Sequence, residues 1–156
     1  DKVDMILRIK MMLDASSGIL YLHENAILHR DIKPDNFLVF SLNLNDKVNA
    51  KLTDFGSARN VNLLMRNMTF TKEKHTKYAD VFSFGITVSE VFKWCEAYSN
   101  ENYKFPWKIA DFVMSGKRLE RKENIPETPF KVIEMCWVQE KANRVSIDRI
   151  VNLLTL

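Results

Sequence analysis

Apolar and small residues recur at three- and four-residue steps along the first part of the chain. This spacing places side chains on one face of an α-helix. It therefore predicts a long helix over residues 4–24 with one buried face. The residues that carry the pattern are Met5, Ile9, Met12, Leu13, Ser16, Ile19 and Leu20.

The pattern then changes to short runs typical of β-strands. A two-residue apolar run, Ile27-Leu28, is followed by β-prone segments at residues 37–40 and 50–53. The stretch between these segments, residues 41–49, contains three Asn and one Asp, which favour a turn. We expect two short strands that hold the loops beside them close together.

The second half of the chain predicts further helices. Residues 80–94 are apolar on nearly all sides, which is typical of a helix buried at the centre of an α-rich fold. Three more helices are predicted over residues 108–115, 129–137 and 146–154. Gly116 should end the first of these, and Thr128 should be the N-cap of the second, with Pro129 in its first turn.

Composition narrows the class of protein. The 156 residues, 46% hydrophobic and 11% aromatic, suit one domain with a sizeable core. The net charge of +3 is mildly basic, but no Lys/Arg run is interleaved with aromatics, so we expect no nucleic-acid partner. No stretch suits a membrane span, and no signal peptide is visible. The spacing of Cys95 and Cys136 favours neither a zinc site nor a disulfide framework, so a reducing, cytoplasmic location is expected.

Two motifs carry the candidate chemistry. The first is His-Arg-Asp-Ile-Lys-Pro-Asp-Asn at positions 29–36, and the second is Asp-Phe-Gly at positions 54–56. Taken singly, each polar residue could be a turn acid, a surface lysine, a loop amide or a cap before glycine. Their joint spacing is very unlikely to arise by chance and indicates a site for phosphoryl transfer.

These motifs resemble the H-R-D-x-x-x-x-N and D-F-G elements of the eukaryotic protein kinases. Asp-Val-Phe-Ser-Phe-Gly at positions 80–85, and Cys136-Trp137 followed by Arg144, are similar to the tyrosine-kinase-like branch. The resemblance runs from about residue 4 to residue 154. It implies a mainly α, protein-kinase-like C-terminal lobe with a few short β-strands around the catalytic loop. Residues 1–156 would then form a partial protein kinase domain.

The resemblance implies a role for each site residue. Asp31 would be the catalytic carboxylate that orients a substrate hydroxyl and accepts its proton, and Lys33 would neutralise the γ-phosphate of ATP. Lys33 also favours Ser/Thr over Tyr hydroxyls of a protein substrate. Asn36 and Asp54 would hold magnesium. Leu38 matches a side chain beneath the adenine ring, although an ordinary core position on a strand is an equal alternative.

The resemblance gives neighbouring residues supporting roles. His29 should pack inward and hold the loop, and the carboxylate of Asp80 should accept backbone N–H groups from that loop. Arg30 resembles an arginine that pairs with a phosphorylated residue. The threonines that could carry the phosphate are Thr69, Thr71 and Thr76.

Several family elements are missing from the sequence. The four glycines, at positions 18, 56, 85 and 116, cannot form the Gly-rich loop, and no A-P-E motif lies between Gly56 and Asp80. The strand lysine and the helix glutamate of the N-terminal lobe are not found either. We therefore expect only the C-terminal lobe, with a shortened activation segment.

The missing A-P-E motif leads to an expectation for Arg144, which matches the arginine that pairs with the A-P-E glutamate. An unmatched buried ion costs on the order of 3–5 kcal/mol. Arg144 should therefore recruit another carboxylate or turn into water. The candidate carboxylates are Glu134, Glu140 and Asp148.

Three functions remain open at this point. The first is a serine/threonine protein kinase domain that uses ATP and magnesium. The second is a catalytically impaired kinase-like remnant or pseudokinase-type interaction module, favoured by the missing A-P-E motif. An α-rich binding protein with accidental motifs is the third, and the joint spacing makes it improbable.

Overall fold

In a computed structural model of the chain, the structure describes residues 3–61, 76–123 and 125–155. The α-helices of this part are Met5–Glu24 (α1), Lys77–Lys93 (α2), Pro106–Met114 (α3), Glu127–Cys136 (α4) and Ile147–Leu154 (α5). The strands are Ile27–Leu28 (β1), Phe37–Val39 (β2), Ala50–Leu52 (β3) and Arg59–Asn60 (β4). Three 3₁₀ turns lie at Pro34–Asn36, Glu101–Tyr103 and Lys141–Asn143. The structure is 54% helical, so the predicted mainly α fold is confirmed.

Helix α1 forms where the apolar periodicity predicts it. Asp4 is its N-cap, and the Oδ1 atom of Asp4 accepts the N–H of Leu7 at 2.8 Å. The buried face of α1 includes Met12, Ala15 and Ile19 and packs against α5 and β3. This helix therefore supplies one wall of the core and leads the chain to the candidate site.

Helix α2 is the central helix of the fold, as predicted, although it begins before residue 80 and ends before residue 94. Its side chains Phe84, Val88 and Phe92 are fully buried. A Cβ atom placed on Gly85 would lie 2.5 Å from the Cβ atom of Cys136, so α2 and α4 approach more closely than any side chain at that position would permit.

The predicted start of α4 is wrong. The helix begins at Glu127 with Pro126 as its N-cap, so Thr128 lies inside the first turn. Pro126 has extended backbone angles, and Pro129 occupies a first-turn position where a backbone N–H has no partner within the helix. The end of α3 is confirmed, because Gly116 follows it with a φ angle of +81°.

Two antiparallel strand pairs hold the loops beside α1. The pairing of β2 with β3 matches Phe37 to Leu52, which confirms the predicted strand pair. The pairing of β1 with β4 matches Leu28 to Arg59, and no sequence pattern predicted it. Together the pairs place the 29–36 loop beside the residues that follow β3. No helix in the described ranges combines the length and apolarity needed to cross a membrane.

Candidate active site

The carboxylate of Asp80 anchors the loop that carries the first motif. Asp80 lies in the first turn of α2 and is only 2% exposed. Its Oδ2 atom accepts the N–H of His29 and its Oδ1 atom accepts the N–H of Arg30, both at 2.9 Å. The structural role predicted for Asp80 is therefore confirmed.

His23 is a third partner of Asp80, and sequence reasoning missed it. Its Nε2 atom lies 3.0 Å from Oδ2 of Asp80, and both side chains are buried. His23 belongs to α1, and only the fold brings it to α2. The periodicity of α1 predicted burial on this face but carried no signal for a polar partner. The α1–α2 packing is thus tied directly to the loop.

His29 links the two motifs, as expected of a residue that holds the loop. Its ring is fully buried, and its Nε2 atom donates to the carbonyl of Thr53 at 2.9 Å. The Nδ1 atom of the same ring accepts the N–H of Asp31 at 3.3 Å. Because Thr53 immediately precedes Asp54, the His29 ring fixes the backbone at Asp31 relative to the backbone before Asp54.

Two non-glycine residues at the site adopt left-handed backbone angles. Arg30 has a φ angle of +72° and Asp54 has one of +57°. Such conformations cost on the order of 1 kcal/mol each and persist where surrounding contacts impose them. At Arg30 the contact is the bond to Asp80, and at Asp54 the Oδ1 atom accepts the N–H of Gly56 at 3.2 Å.

The predicted residues Asp31, Lys33 and Asn36 form one cluster. The Nζ atom of Lys33 lies 2.8 Å from Oδ2 of Asp31, and the Nδ2 atom of Asn36 donates to the same oxygen at 3.0 Å. The Asn36 amide also donates to the backbone oxygen of Asp31 at 2.6 Å. The hydrogen bond from Lys33 lowers the pKa of Asp31, against an opposing effect of burial, and the same bond raises the pKa of Lys33.

Asp54 lies next to this cluster through the strand pair. The N–H of Thr53 donates to the backbone oxygen of Asn36 at 2.8 Å, and the Thr53 hydroxyl donates to the same oxygen at 3.0 Å. The Asn36 amide nitrogen is committed to Asp31, so its amide oxygen is left available. One carboxylate oxygen of Asp54 is likewise without a donor among the described residues. An amide and a carboxylate oxygen are ligand types that fit magnesium.

The remaining predicted residue, Leu38, lies on β2 and is 51% exposed. The alternative of an ordinary core position is therefore wrong for this side chain. Val39 of β2 and Phe40, which follows the strand, are also about half exposed, so these residues present an apolar surface beside Asn36. Contact with an adenine ring stays a prediction.

Most of the threonines predicted as partners of Arg30 lie outside the residues that the structure describes. Thr69 and Thr71 lie outside the described residues, as does most of the stretch in which an A-P-E motif was sought. Thr76 is the N-cap residue of α2 and makes no side-chain cap bond. The phosphorylation hypothesis therefore stays a prediction.

The expectation for Arg144 is wrong. The side chain is about half-buried, neither pairs with a carboxylate of the described residues nor turns fully into water, and instead binds backbone oxygens. Its Nε and Nη2 atoms donate to the carbonyl of Val138 at 3.1 and 2.8 Å, and Nη1 donates to the carbonyl of Tyr78 at 2.7 Å. The guanidinium also lies 5.1 Å from the ring centroid of Phe82. Carbonyl dipoles and an aromatic ring replace the expected carboxylate.

Comparison with known proteins decides the family. The family model described as protein tyrosine and serine/threonine kinase matches residues 1–154. The chain belongs to the protein kinase family. Two similar proteins from Dictyostelium discoideum are the probable serine/threonine-protein kinases gdt2 and gdt8. They are 30% and 33% identical to this kinase chain over 94% and 96% of its length.

A third similar protein is viral, and its name also includes serine/threonine-protein kinase. The putative serine/threonine-protein kinase/receptor R818 of Acanthamoeba polyphaga mimivirus is 32% identical over 96% of the kinase chain. The kinase chain spans about a tenth of the length of the curated relatives it matches, with shares of 10%, 12% and 9% for these three.

The alignments also bear on the length of the kinase chain. Those with gdt2 and gdt8 extend over 161 and 162 positions, more than the 156 residues of this chain. The relatives therefore carry residues that have no counterpart here. The shortened segment between Gly56 and Asp80 stays a prediction.

Proposed function

We propose that this chain forms the C-terminal lobe of a protein kinase domain that transfers the γ-phosphoryl group of ATP to serine or threonine hydroxyls of a protein. The observation that carries the proposal is the contact cluster of Asp31, Lys33 and Asn36, held beside Asp54 by the strand pair. Phosphoryl transfer needs positioning and charge neutralisation more than covalent help from the protein. In this cluster Asp31 would position the hydroxyl, and Lys33 would neutralise charge.

Asp31 is the residue that would receive the substrate hydroxyl. Lys33 and Asn36 both hold its Oδ2 atom, which leaves Oδ1 for the hydroxyl proton. The side chain is 37% exposed, so a protein substrate can reach it. Because the pKa of Asp31 is lowered, the group is ionised at neutral pH but is a weak base. Its main contribution would be to orient the hydroxyl.

Asn36 and Asp54 would hold magnesium through their available oxygens. No group of three or more His, Cys, Asp or Glu side chains in the described ranges could hold a metal by itself. Magnesium prefers six oxygen ligands and commonly takes several from phosphates and water. The two residues therefore suit an ion that arrives with ATP, which would neutralise charge on the phosphates. Leu38 would lie beneath the adenine ring.

Two observations support serine or threonine as the acceptor. Lys33 stands two residues after Asp31, as in the serine/threonine kinases that the motif resembles, and its Nζ atom lies 2.8 Å from Oδ2 of Asp31, from where it would meet the transferred phosphate. The relatives gdt2, gdt8 and R818 carry serine/threonine-protein kinase in their names. Lys33 would leave Asp31 for the γ-phosphate when ATP binds.

The test uses the longest natural protein that contains this chain, found by sequencing the source transcript upstream of Asp1 and across residues 56–80. Transfer of labelled phosphate from ATP and Mg²⁺ to casein is measured. Asp31→Asn should lower kcat by about 10²–10⁴-fold, because it removes the carboxylate that orients the hydroxyl and accepts its proton. Asp35→Asn is the matched control, since Asp35 is an exposed carboxylate of the same 29–36 loop and its replacement should leave the rate unchanged. Equal rates for wild type and Asp31→Asn would refute the proposal.

A second candidate is a kinase-like interaction module that does not transfer phosphate. The observation that favours it is the sequence between Gly56 and Asp80, which contains no A-P-E motif. No transfer by the longest natural protein, together with ATP binding that Asp31→Asn leaves unchanged, would support this candidate over the first.

A further inference from the structure

The loop between β2 and β3 presents apolar side chains to solvent. Four large apolar residues lie at positions 40–48, and each is between 37% and 56% exposed. A turn does not need such residues, because Asn, Asp, Ser and Gly supply its hydrogen bonds and backbone angles. Exposed apolar side chains that lie together mark sites of interaction. We call these four side chains the loop patch: Phe40, Leu42, Leu44 and Val48.

A buried asparagine fixes the shape of this loop. The side chain of Asn49 is fully buried, and its Nδ2 atom donates to the carbonyls of Ser41 at 3.0 Å and Asn43 at 2.8 Å. The carbonyl of Asn49 accepts the N–H of Phe40 at 2.8 Å. One residue at the end of the loop therefore holds its first half in place by hydrogen bonds, and the apolar side chains are left outside.

Helix α1 anchors the same loop to the body of the fold. The Oδ2 atom of Asp14 accepts the N–H of Asn49 at 2.7 Å and that of Ala50 at 3.2 Å. The Nζ atom of Lys10 donates to the carbonyl of Lys47 at 3.3 Å. The loop patch is thus carried by a loop that is fixed to a long helix. A surface that is already ordered loses less conformational entropy when a partner binds.

The charged groups beside the loop patch are mainly positive. Lys47 and Lys51 are exposed, and neither makes an ion pair with a carboxylate of the described residues. The Nζ atom of Lys51 lies 4.7 Å from the ring centroid of Phe40, so this charge borders the patch directly. The acids of this region are Asp46, which is exposed, and Asp14, which is engaged by two backbone N–H groups. An apolar surface is therefore bordered by an excess of positive charge.

We propose that the loop patch docks a segment of a separate protein in which leucine-type side chains alternate with acidic ones. The apolar side chains of the partner would cover the patch, and its carboxylates would meet Lys47 and Lys51 at the rim. A second copy of the chain fits less well, since a two-fold interface would bring the same lysines together. A lipid surface is usually met by a larger cluster of basic residues. The loop patch shares no residue with the proposed catalytic cluster.

The test is a fluorescence anisotropy titration of the full 156-residue chain with the fluorescein-labelled peptide Gly-Glu-Leu-Leu-Glu-Leu-Glu-Gly. A counterpart with Ser in place of Leu should bind at least about tenfold more weakly, because it has no apolar side chains to cover the patch. A counterpart with Gln in place of Glu should bind up to about fivefold more weakly, as expected for exposed ion pairs.

Substitutions in the chain test whether the peptide binds at the loop patch. Leu42→Ser should weaken binding by about fivefold, because one apolar contact is lost. Met114→Ser is the matched control, since it removes an apolar side chain that is 76% exposed on α3. Lys47→Gln should weaken binding up to about threefold, and Lys141→Gln, at an exposed position remote in the sequence, is its control. Circular dichroism checks that each variant is folded, and Leu44→Ser replaces Leu42→Ser if that variant is not.

Three results would overturn the proposal: no saturable binding of the Leu-Glu peptide, equal binding of its Ser counterpart, or equal effects of Leu42→Ser and Met114→Ser. So would a dimer of the chain, seen by sedimentation velocity, that Leu42→Ser dissociates, because the occupant would then be a second copy. Binding to vesicles of phosphatidylcholine and phosphatidylserine that Leu42→Ser abolishes would also overturn it, because the patch would then meet lipid.

Discussion

Asp80 and Arg144 are both withdrawn from water near the start of α2, and the fold satisfies them in opposite ways. Asp80 is 2% exposed and collects two backbone N–H groups and the ring of His23. Arg144 is half-buried and collects carbonyl oxygens, including that of Tyr78, two residues before Asp80. Asp80 holds the loop that carries the candidate site residues. Arg144 links the carbonyl of Val138, which follows α4, to that of Tyr78 in the first turn of α2, and two of its N–H groups have no acceptor among the described residues.

The comparison shows that backbone groups can be the main hydrogen-bond partners of a carboxylate and of a guanidinium inside a protein. Oriented backbone dipoles can stabilise a carboxylate through N–H groups and a guanidinium through carbonyls. The aromatic face of Phe82 adds to the second case. Asp80 and Arg144 therefore differ in how many of their hydrogen-bonding groups have a partner. Measurements of the free energy of unfolding can test this difference.

The largest effect should come from Asp80→Ala. The substitution leaves the N–H groups of His29 and Arg30 and the ring of His23 without their shared acceptor, inside the protein. The free energy of unfolding, measured with urea, should fall by about 3–5 kcal/mol. Asp46→Ala, at an exposed loop position, is the control and should stay within about 0.5 kcal/mol of wild type. A loss as small as that of the control would show that Asp80 is not the anchor.

Arg144→Met should have a smaller effect, about 1–2 kcal/mol in the same measurement. Methionine retains much of the apolar stem, and the site is only half-buried, so water can reach the carbonyls of Val138 and Tyr78. Arg149→Met, which removes an exposed arginine, should change stability by no more than about 0.5 kcal/mol. If Arg144→Met costs as much as Asp80→Ala, the proposed contrast between the two residues is wrong.

His23→Ala should cost about 1–2 kcal/mol, because it removes one of the three donors to Asp80. A double-mutant cycle with Asp80→Ala should give a coupling energy of about 1 kcal/mol or more, as for residues in one hydrogen-bond network. Additive effects would mean that His23 acts through packing in α1 alone. The cycle thus separates the part of the stability given by Asp80 that depends on the side chain of His23 from the part that depends on the backbone N–H groups.

The smallest effect on stability is expected for the exposed pair of Asp31 and Lys33. Its charges remain in contact with water and can be compared with those of the more buried Asp80 and Arg144. Lys33→Met should raise the pKa of Asp31 towards its ordinary value, as read from carboxyl carbon shifts in an NMR titration. Because the folded-state pKa of Asp31 is lowered, its contribution to stability is present above the ordinary carboxyl pKa and is lost as the pH falls through the folded value. At 37% exposure this contribution should be slight. An unchanged pKa in Lys33→Met would show that another group lowers it.

Local patterns predicted most of the helices and the strand pair at the site. The periodicity of α1 and the turn residues between β2 and β3 act over short distances, so their structural result can be foreseen from sequence. The start of α4 could not be foreseen in the same way, because Thr128 offers a capping hydroxyl but the backbone of Pro126 sets the first turn. In this case backbone geometry outweighed a side-chain preference.

The site itself was predicted where a motif fixes its spacing and missed where the fold brings distant residues together. The contacts among Asp31, Lys33 and Asn36 lie within six residues of chain, whereas His23 meets Asp80 across helices. The error at Arg144 has another origin. The expectation considered only carboxylates and water as partners, and it left out the carbonyl of Val138, which lies near Arg144 in the sequence. The carbonyl of Tyr78 is distant in the sequence and meets Arg144 only when α2 is in place.

The close approach of α2 and α4 at Gly85 gives the protein a natural chemical probe. Of the two cysteines, Cys95 is exposed and Cys136 is buried against Gly85, where burial also raises the pKa of its thiol. A maleimide dye should therefore label Cys95 within minutes, while Cys136 reacts only when the two helices separate. The rate of the second labelling step would report the opening of this helix pair in the native protein, with no engineered cysteine.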